Sequence, residues 1–176
     1  MAELDNSRIG DSRELRRVYG CFPSGVMALC AVYDDGAPVG IAVSSFTTIS
    51  MDPPLVSVCA ARSSQTWPLL ADRARLGLSV LSLTQGVACR QLSSKTAKAR
   101  FDGVGWHSTR RGAVLLEDAA AWLECTIDKI VDAGDHLLVL LGVQAFEIRD
   151  GVAPLVFHAS TFHQLSVIPA TTDSMA

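Results

Sequence analysis

Positive charge is in short supply, with 15 Lys and Arg against 18 Asp and Glu and a formal charge of -3 at pH 7. No basic field exists to gather nucleic acid or an anionic membrane, so the expected partners are small molecules or proteins. Long apolar runs are missing too. The strongest, "VMALCAVY" (26–33) and "LLVLLGVQAF" (137–146), fall far short of the roughly 20 residues that span a bilayer. The opening "MAELDNSRIGDSRELRR" is polar and acidic, the reverse of a signal peptide's layout, and a soluble cytoplasmic chain is expected. Five cysteines, at 21, 30, 59, 89 and 125, form no C-x-x-C pair. They read as free, mostly buried thiols in a reducing compartment.

Several catalytic signatures are also absent. The G-x-G of "GVGWHS" lacks a third glycine and a strand-to-helix setting, and neither a G-x-S-x-G elbow nor a phosphate-binding P-loop occurs. His107, His136, His158 and His163 are too scattered, with no cysteine or carboxylate at ligand spacing, to indicate a metal site.

What is present is globular: 176 residues, 49% hydrophobic and 19% charged, enough for one domain with a proper core. "SRELRRVYG" has helical period and ends at Gly20. Strands follow in "GVMALCAVYDDG" and "PVGIAVSSF", joined by the turn residues of "DDGAP", and then in "PLVSVCA" and "LGLSVLSL". Short helices are expected in "TWPLLADRA", with Pro68 in its first turn, and in "TQGVACRQLSS", capped by Thr84. Two long runs, "AAAWLECTIDKIVDA" and "HLLVLLGVQAFEIRD", meet at "GD", and "APLVFHASTF" closes the series. Strands in succession without helices between them disfavour an alternating parallel fold, and closing the sheet would remove its edges. A mainly β, single-domain barrel with a few short peripheral helices is expected. Its boundaries are placed at 14–168, with a flexible segment at 1–13 and a flexible tail at 169–176.

Hydroxyl side chains crowd both ends of one of these strands: Ser44, Ser45, Thr47, Thr48 and Ser50 before it, Ser63, Ser64 and Thr66 after it. Hydroxyls and irregular backbone at a strand's end can bind the ring nitrogens and carbonyls of a flat heterocycle. "ARSSQT" leads into a helix whose first turn, with Arg62, offers donors to phosphate. The same residues also serve as turn and N-cap residues, and both roles are open on composition.

Five stretches in order, "FPSGV" (22–26), "VSSFTTISMDPPLVSVCA" (43–60), "SSQTW" (63–67), "GDH" (134–136) and "PLVFH" (154–158), closely resemble the flavin reductase family of two-component flavin-dependent monooxygenases. The likeness runs from about residue 14 to residue 165. It implies a homodimeric split β-barrel of the FMN-binding type that holds FMN or FAD. It further implies hydride transfer from NADH or NADPH, with NADH favoured, to flavin N5, and delivery of reduced flavin to a separate monooxygenase.

By position, the resemblance assigns Ser44, Ser45, Phe46, Thr47 and Ser50 to the isoalloxazine ring, and Ala60, Ser63, Ser64 and Thr66 to the ribityl phosphate. Lys98, Arg100 and Phe101 would close over the phosphate or adenine, although a solvated helix face would also account for the cations. His136 matches the histidine that meets the nicotinamide, with His158 and Phe162 lining the same pocket. Ala159 and Ser160 stand where the family often carries a basic residue and Gly, and Met51 replaces a common Leu. The rival reading is a flavin- or haem-binding split-barrel module without turnover. A pyridoxine-phosphate oxidase shares the barrel type but fits "GDH" and "DPP" poorly.

Overall fold

The computed structural model describes residues 9–94 and 99–168. Helix α1 (Ser12–Gly20) begins two residues before the expected domain boundary, because the Asp11 carboxylate caps it by accepting from the N–H groups of Arg13 and Glu14. The expected 169–176 tail lies outside the described residues.

Seven strands form one antiparallel sheet: β2 (Met27–Val32), β3 (Pro38–Val43), β4 (Thr47–Met51), β5 (Pro54–Ala61), β6 (Leu76–Val80), β9 (Ala121–Ala133) and β10 (His136–Ile148). Their order is β3-β2-β6-β9-β10-β5-β4. Although β3 and β5 lie near opposite ends of that order, Val43 packs in the same cluster as Val56, Val58 and Ala60. Leu29, Leu78, Cys125 and Val139 from the strands between them complete it, so the sheet curls around a single core. Helix α2 (Trp67–Ala71), with a proline in its first turn as expected, plugs this core with Trp67 and Leu70.

Strand β2 is buried on both faces, which explains its unbroken apolar run. Met27, Leu29 and Ala31 enter the barrel core, while Val26, Ala28 and Cys30 enter a second cluster with Leu81, Leu92, Val114, Leu116 and Leu155. That second layer is built from α3 (Gly86–Leu92), the hairpin β7 (Trp106–Ser108) with β8 (Val114–Leu116), and a small sheet of β1 (Ser24–Gly25), β11 (Val156–His158) and β12 (Thr161–His163). At Gly77 an added Cβ would stand 2.1 Å from the Val114 carbonyl oxygen, so only glycine lets β8 lie this close to β6.

Two local expectations are corrected. Thr84 does not cap the helix at 86–92. Ser82 caps a 3-10 turn (Leu83–Gln85) that leads into it, and the Gln85 side chain closes the box by accepting from the Ser82 N–H at 2.9 Å. "SSFTTIS" is not irregular throughout, since its second half is edge strand β4, paired with β5. β-branched Thr47, Thr48 and Ile49 favour that extended backbone despite the hydroxyls. No helix of the described residues is long and apolar enough to cross a membrane.

Candidate functional site

The last residues of β3 and β5, the C-terminal end of α3 and the first residue of β10 enclose a cavity of about 380 Å³. Its lining is Ile41, Ala42, Val43, Ser44, Ser45, Cys59, Ala60, Ala61, Ser64, Leu92, Ser93, Arg100 and His136. The volume falls within the range of small-molecule sites, roughly 300–1,000 Å³. Small Ala42, Ala60 and Ala61 keep side-chain bulk out of it. Serine hydroxyls, one guanidinium and one imidazole supply its polar groups.

Ser45 holds the two strand ends together. Its hydroxyl accepts from the Cys59 N–H at 2.8 Å and donates to the Cys59 carbonyl at 3.3 Å. Ser64 accepts from the Trp67 N–H at 3.1 Å, so it satisfies the first N–H of α2 from outside the helix and keeps its own O–H donor for a ligand. Thr66 is buried, and its hydroxyl accepts from Arg100 Nη1 at 2.5 Å.

Arg100 is half-buried, and its partners are neutral. Besides Thr66 it donates to the carbonyl of Gly40 at 2.9 Å and to that of Ser94 at 3.0 and 2.6 Å. Burial lowers its pKa from the ordinary arginine value. Among the described residues no carboxylate pairs with it, which leaves a positioned positive charge at the cavity wall. A guanidinium so held suits a phosphate.

His136 opens β10, opposite Ala61 of β5 and Ala133 of β9. Its Nδ1 lies 2.8 Å from Asp135 Oδ1. The hydrogen bond from His136 holds the Asp135 carboxyl below the usual carboxylate range, and the His136 and Arg16 charges add to the effect. A carboxylate can only accept, so Nδ1–H donates and Nε2 is left as the acceptor of the neutral ring.

Of the residues marked in the sequence, the cavity gathers Ser44, Ser45, Ala60, Ser64, Arg100 and His136. Thr66 touches it only through Arg100. Phe46 packs on the barrel core and Phe101 on the second cluster, while Thr47 and Ser50 lie along β4 and Ser63 is exposed. Lys98 lies outside the described residues. Arg62 is not available to a phosphate, because it binds the Gly134 carbonyl at 2.9 Å and the Asp132 carboxylate.

His158 and Phe162 do not share the cavity of His136 within the chain. Their hairpin pairs with β1 rather than with β5 or β10, so it belongs to the second layer. There Phe162 lies beneath the Arg90 guanidinium and beside Phe157. Sequence reasoning missed Ile41, Ala42, Val43, Cys59, Ala61, Leu92 and Ser93, which look like core or cap residues. The small pair Ala60-Ala61 at a strand's end was the available signal.

A family model described as a flavin reductase like domain matches residues 19–166. The reductase subunit of a flavin-dependent monooxygenase from Mycobacterium tuberculosis is 31% identical over 154 residues, covering 86% of this chain and 81% of that protein. A "Probable flavin reductase" of Rhizobium meliloti is 37% identical over 141 residues, or 80% of this chain, which spans only 45% of that longer relative. Among solved structures, the NADH:FAD oxidoreductase of Streptomyces globisporus C-1027 in complex with NAD and FAD fragments superposes with a TM-score of 0.85 at 30% identity, covering 97% of this chain and 99% of that one.

Proposed function

The chain belongs to the family of flavin reductase like domains, and from that premise we propose that it is an NAD(P)H:flavin oxidoreductase supplying reduced FMN or FAD to a separate flavin-dependent monooxygenase. The observation that carries the reading is the meeting of Arg100, which has no carboxylate partner among the described residues, with His136 in one cavity lined by alanines.

A bound flavin would bring the redox chemistry, accepting at N5 a hydride from a reduced nicotinamide. The chain's own residues bind and orient. Arg100 holds the phosphate, and the free O–H of Ser64 and the exposed Ser44 add donors beside it. The ends of β3 and β5, fixed to each other by Ser45, form a rigid wall for the ring. His136, steadied by Asp135, presents Nε2 to the nicotinamide side and fixes the approach of that ring. No side chain is asked to move a proton, which fits a cavity whose acid and base groups are few.

The active form in this reading is a homodimer working in the cytoplasm. Phe146 and Ile148 on the outer end of β10 are 80% and 69% exposed in the single chain, an arrangement that a second copy would relieve. The experiment is to mix purified protein with NADH or NADPH and FMN or FAD and follow nicotinamide absorbance. Oxidation above background with at least one pair supports the reading, and background rates with all four pairs refute it.

A further inference from the structure

The Arg100 guanidinium is mostly engaged by its own chain. Such a group carries five N–H donors. Nε donates to the Ser94 carbonyl at 3.0 Å and Nη2 to the same oxygen at 2.6 Å, while Nη1 uses both of its hydrogens, on the Gly40 carbonyl at 2.9 Å and the Thr66 hydroxyl at 2.5 Å. One N–H, on Nη2, is left for a ligand. Arg100 lines the cavity but Gly40 and Thr66 do not, so Nη1 is turned away from it.

Two of these three anchors are main-chain carbonyls, and Thr66 is the one side chain among them. Its hydroxyl is not taken by the helix it precedes. Thr66 stands at the N-cap of α2 without a side-chain cap bond, and the Trp67 N–H is satisfied by Ser64 instead. The Thr66 carbonyl accepts from the N–H groups of Leu69 and Leu70 at 3.1 and 3.3 Å, and Trp67 and Leu70 are packed in the barrel core. Core packing therefore fixes α2, α2 fixes the Thr66 hydroxyl, and that hydroxyl fixes one edge of the guanidinium. Gly40 is held as firmly, since an added Cβ there would stand 2.4 Å from the Cys30 sulfur. Thr66 itself is buried, and a molecule in the cavity meets Arg100 and not Thr66.

We propose that Thr66 is a positioning residue: it orients Arg100 so that its free Nη2–H and its charge face the flavin phosphate, and it makes no contact with the phosphate itself. The proposal rests on the reductase reading above and departs from the direct phosphate contact that the family resemblance assigns to Thr66. A guanidinium held at three points loses little freedom when the anion arrives, which is the benefit of preorganisation.

The test is a double-mutant cycle. Wild type, Thr66→Val, Thr66→Ser, Arg100→Ala and Thr66→Val/Arg100→Ala are each titrated with FMN and with riboflavin by fluorescence. Valine keeps the shape of the side chain and removes the acceptor, so Thr66→Val is expected to weaken FMN about tenfold, the factor for one hydrogen bond to a charged group. Riboflavin, which has no phosphate, should bind it as it binds the wild type, and Thr66→Ser should restore FMN affinity. In the Arg100→Ala background Thr66→Val should cause no further loss, because its effect passes through the arginine. The double variant leaves no unpaired guanidinium behind, so it keeps the comparison readable if Thr66→Val alone is unstable. Additional loss of FMN affinity in the double variant would make Thr66 a direct ligand, and equal losses for FMN and riboflavin would make it a prop of α2. Either result, or wild-type FMN affinity in Thr66→Val, overturns the proposal while the reductase reading stands. Absence of flavin binding by the wild type would remove both.

Discussion

Two arginines stand near the ends of the hydroxyl-rich segment, and they are held in opposite ways. Arg62 is exposed and neutralised, bound to the Asp132 carboxylate and the Gly134 carbonyl at the tip of the β9–β10 hairpin. Arg100 is half-buried and bound by carbonyls and a hydroxyl, with no carboxylate among the described residues to cancel its charge. Both would be read from sequence as donors to a phosphate. The difference lies in the partner: a neutral acceptor fixes a guanidinium in place without consuming its charge, whereas a carboxylate does both. Arg62 is therefore a fastener for the hairpin that carries His136, and Arg100 is the residue proposed as the anion site.

Replacing Arg100 by Ala should have the largest effect. Loss of a partly desolvated, charge-assisted contact to phosphate is expected to weaken FMN binding on the order of 100-fold. Arg100→Lys, which keeps the charge but not the fork, should recover only part of it in a fluorescence titration. Next comes His136→Ala, expected to raise the nicotinamide KM or slow flavin reduction about tenfold, the factor of a single hydrogen bond. Flavin affinity and thermal stability should stay near wild type. A variant that melts early and loses flavin would make His136 a turn residue instead.

Arg62→Ala sharpens the contrast directly. Its ion pair is exposed and worth at most about 1 kcal/mol, so FMN affinity should change less than about twofold, while the nicotinamide KM rises a few-fold as the hairpin tip loosens. Equal effects of Arg62→Ala and Arg100→Ala on FMN would erase the distinction.

The smallest effect concerns pH. Because the folded-state pKa of Asp135 is lowered, chiefly by the hydrogen bond from His136, the Asp135–His136 contact persists through the normal carboxylate range and is lost only as pH falls below it. A carboxyl NMR titration of Asp135 should give a midpoint below that of an ordinary aspartate, returning toward the ordinary value in His136→Ala.

The strand-rich barrel was legible because its signals are local. Alternation, the "DDGAP" and "GD" turns and the unbroken run of β2 each arise from burial of nearby residues. What escaped depends on contacts distant in sequence. Ser45 could not be known as a clamp until Cys59 was placed beside it, and Ser64 reads as ligand or cap alike until Trp67 receives its bond. Strands β7 and β8, three residues each, are too short for any period to register. The placement of His158 and Phe162 in the second layer follows from a two-residue pairing with Ser24 and Gly25 that no pattern announces.

The same distinction applies to the thiols. Cys30, Cys89 and Cys125 are buried, and burial pushes their thiols up, that of Cys125 to about 12, so they are poor nucleophiles; Cys59 is half-buried and Cys21 is exposed. One fast-reacting thiol per native chain is expected in a disulfide-exchange assay, and its loss in Cys21→Ser confirms the assignment.

The most direct test of the site is the difference in affinity between FMN and riboflavin, which share the ring and ribityl chain and differ in the phosphate. Wild-type protein should bind FMN at least about tenfold more tightly, as expected for a charge-assisted contact, and Arg100→Ala should bring the two affinities together by weakening FMN while leaving riboflavin unchanged. Equal affinities in the wild type, or a preference for FMN that survives Arg100→Ala, would place the phosphate elsewhere and contradict the account.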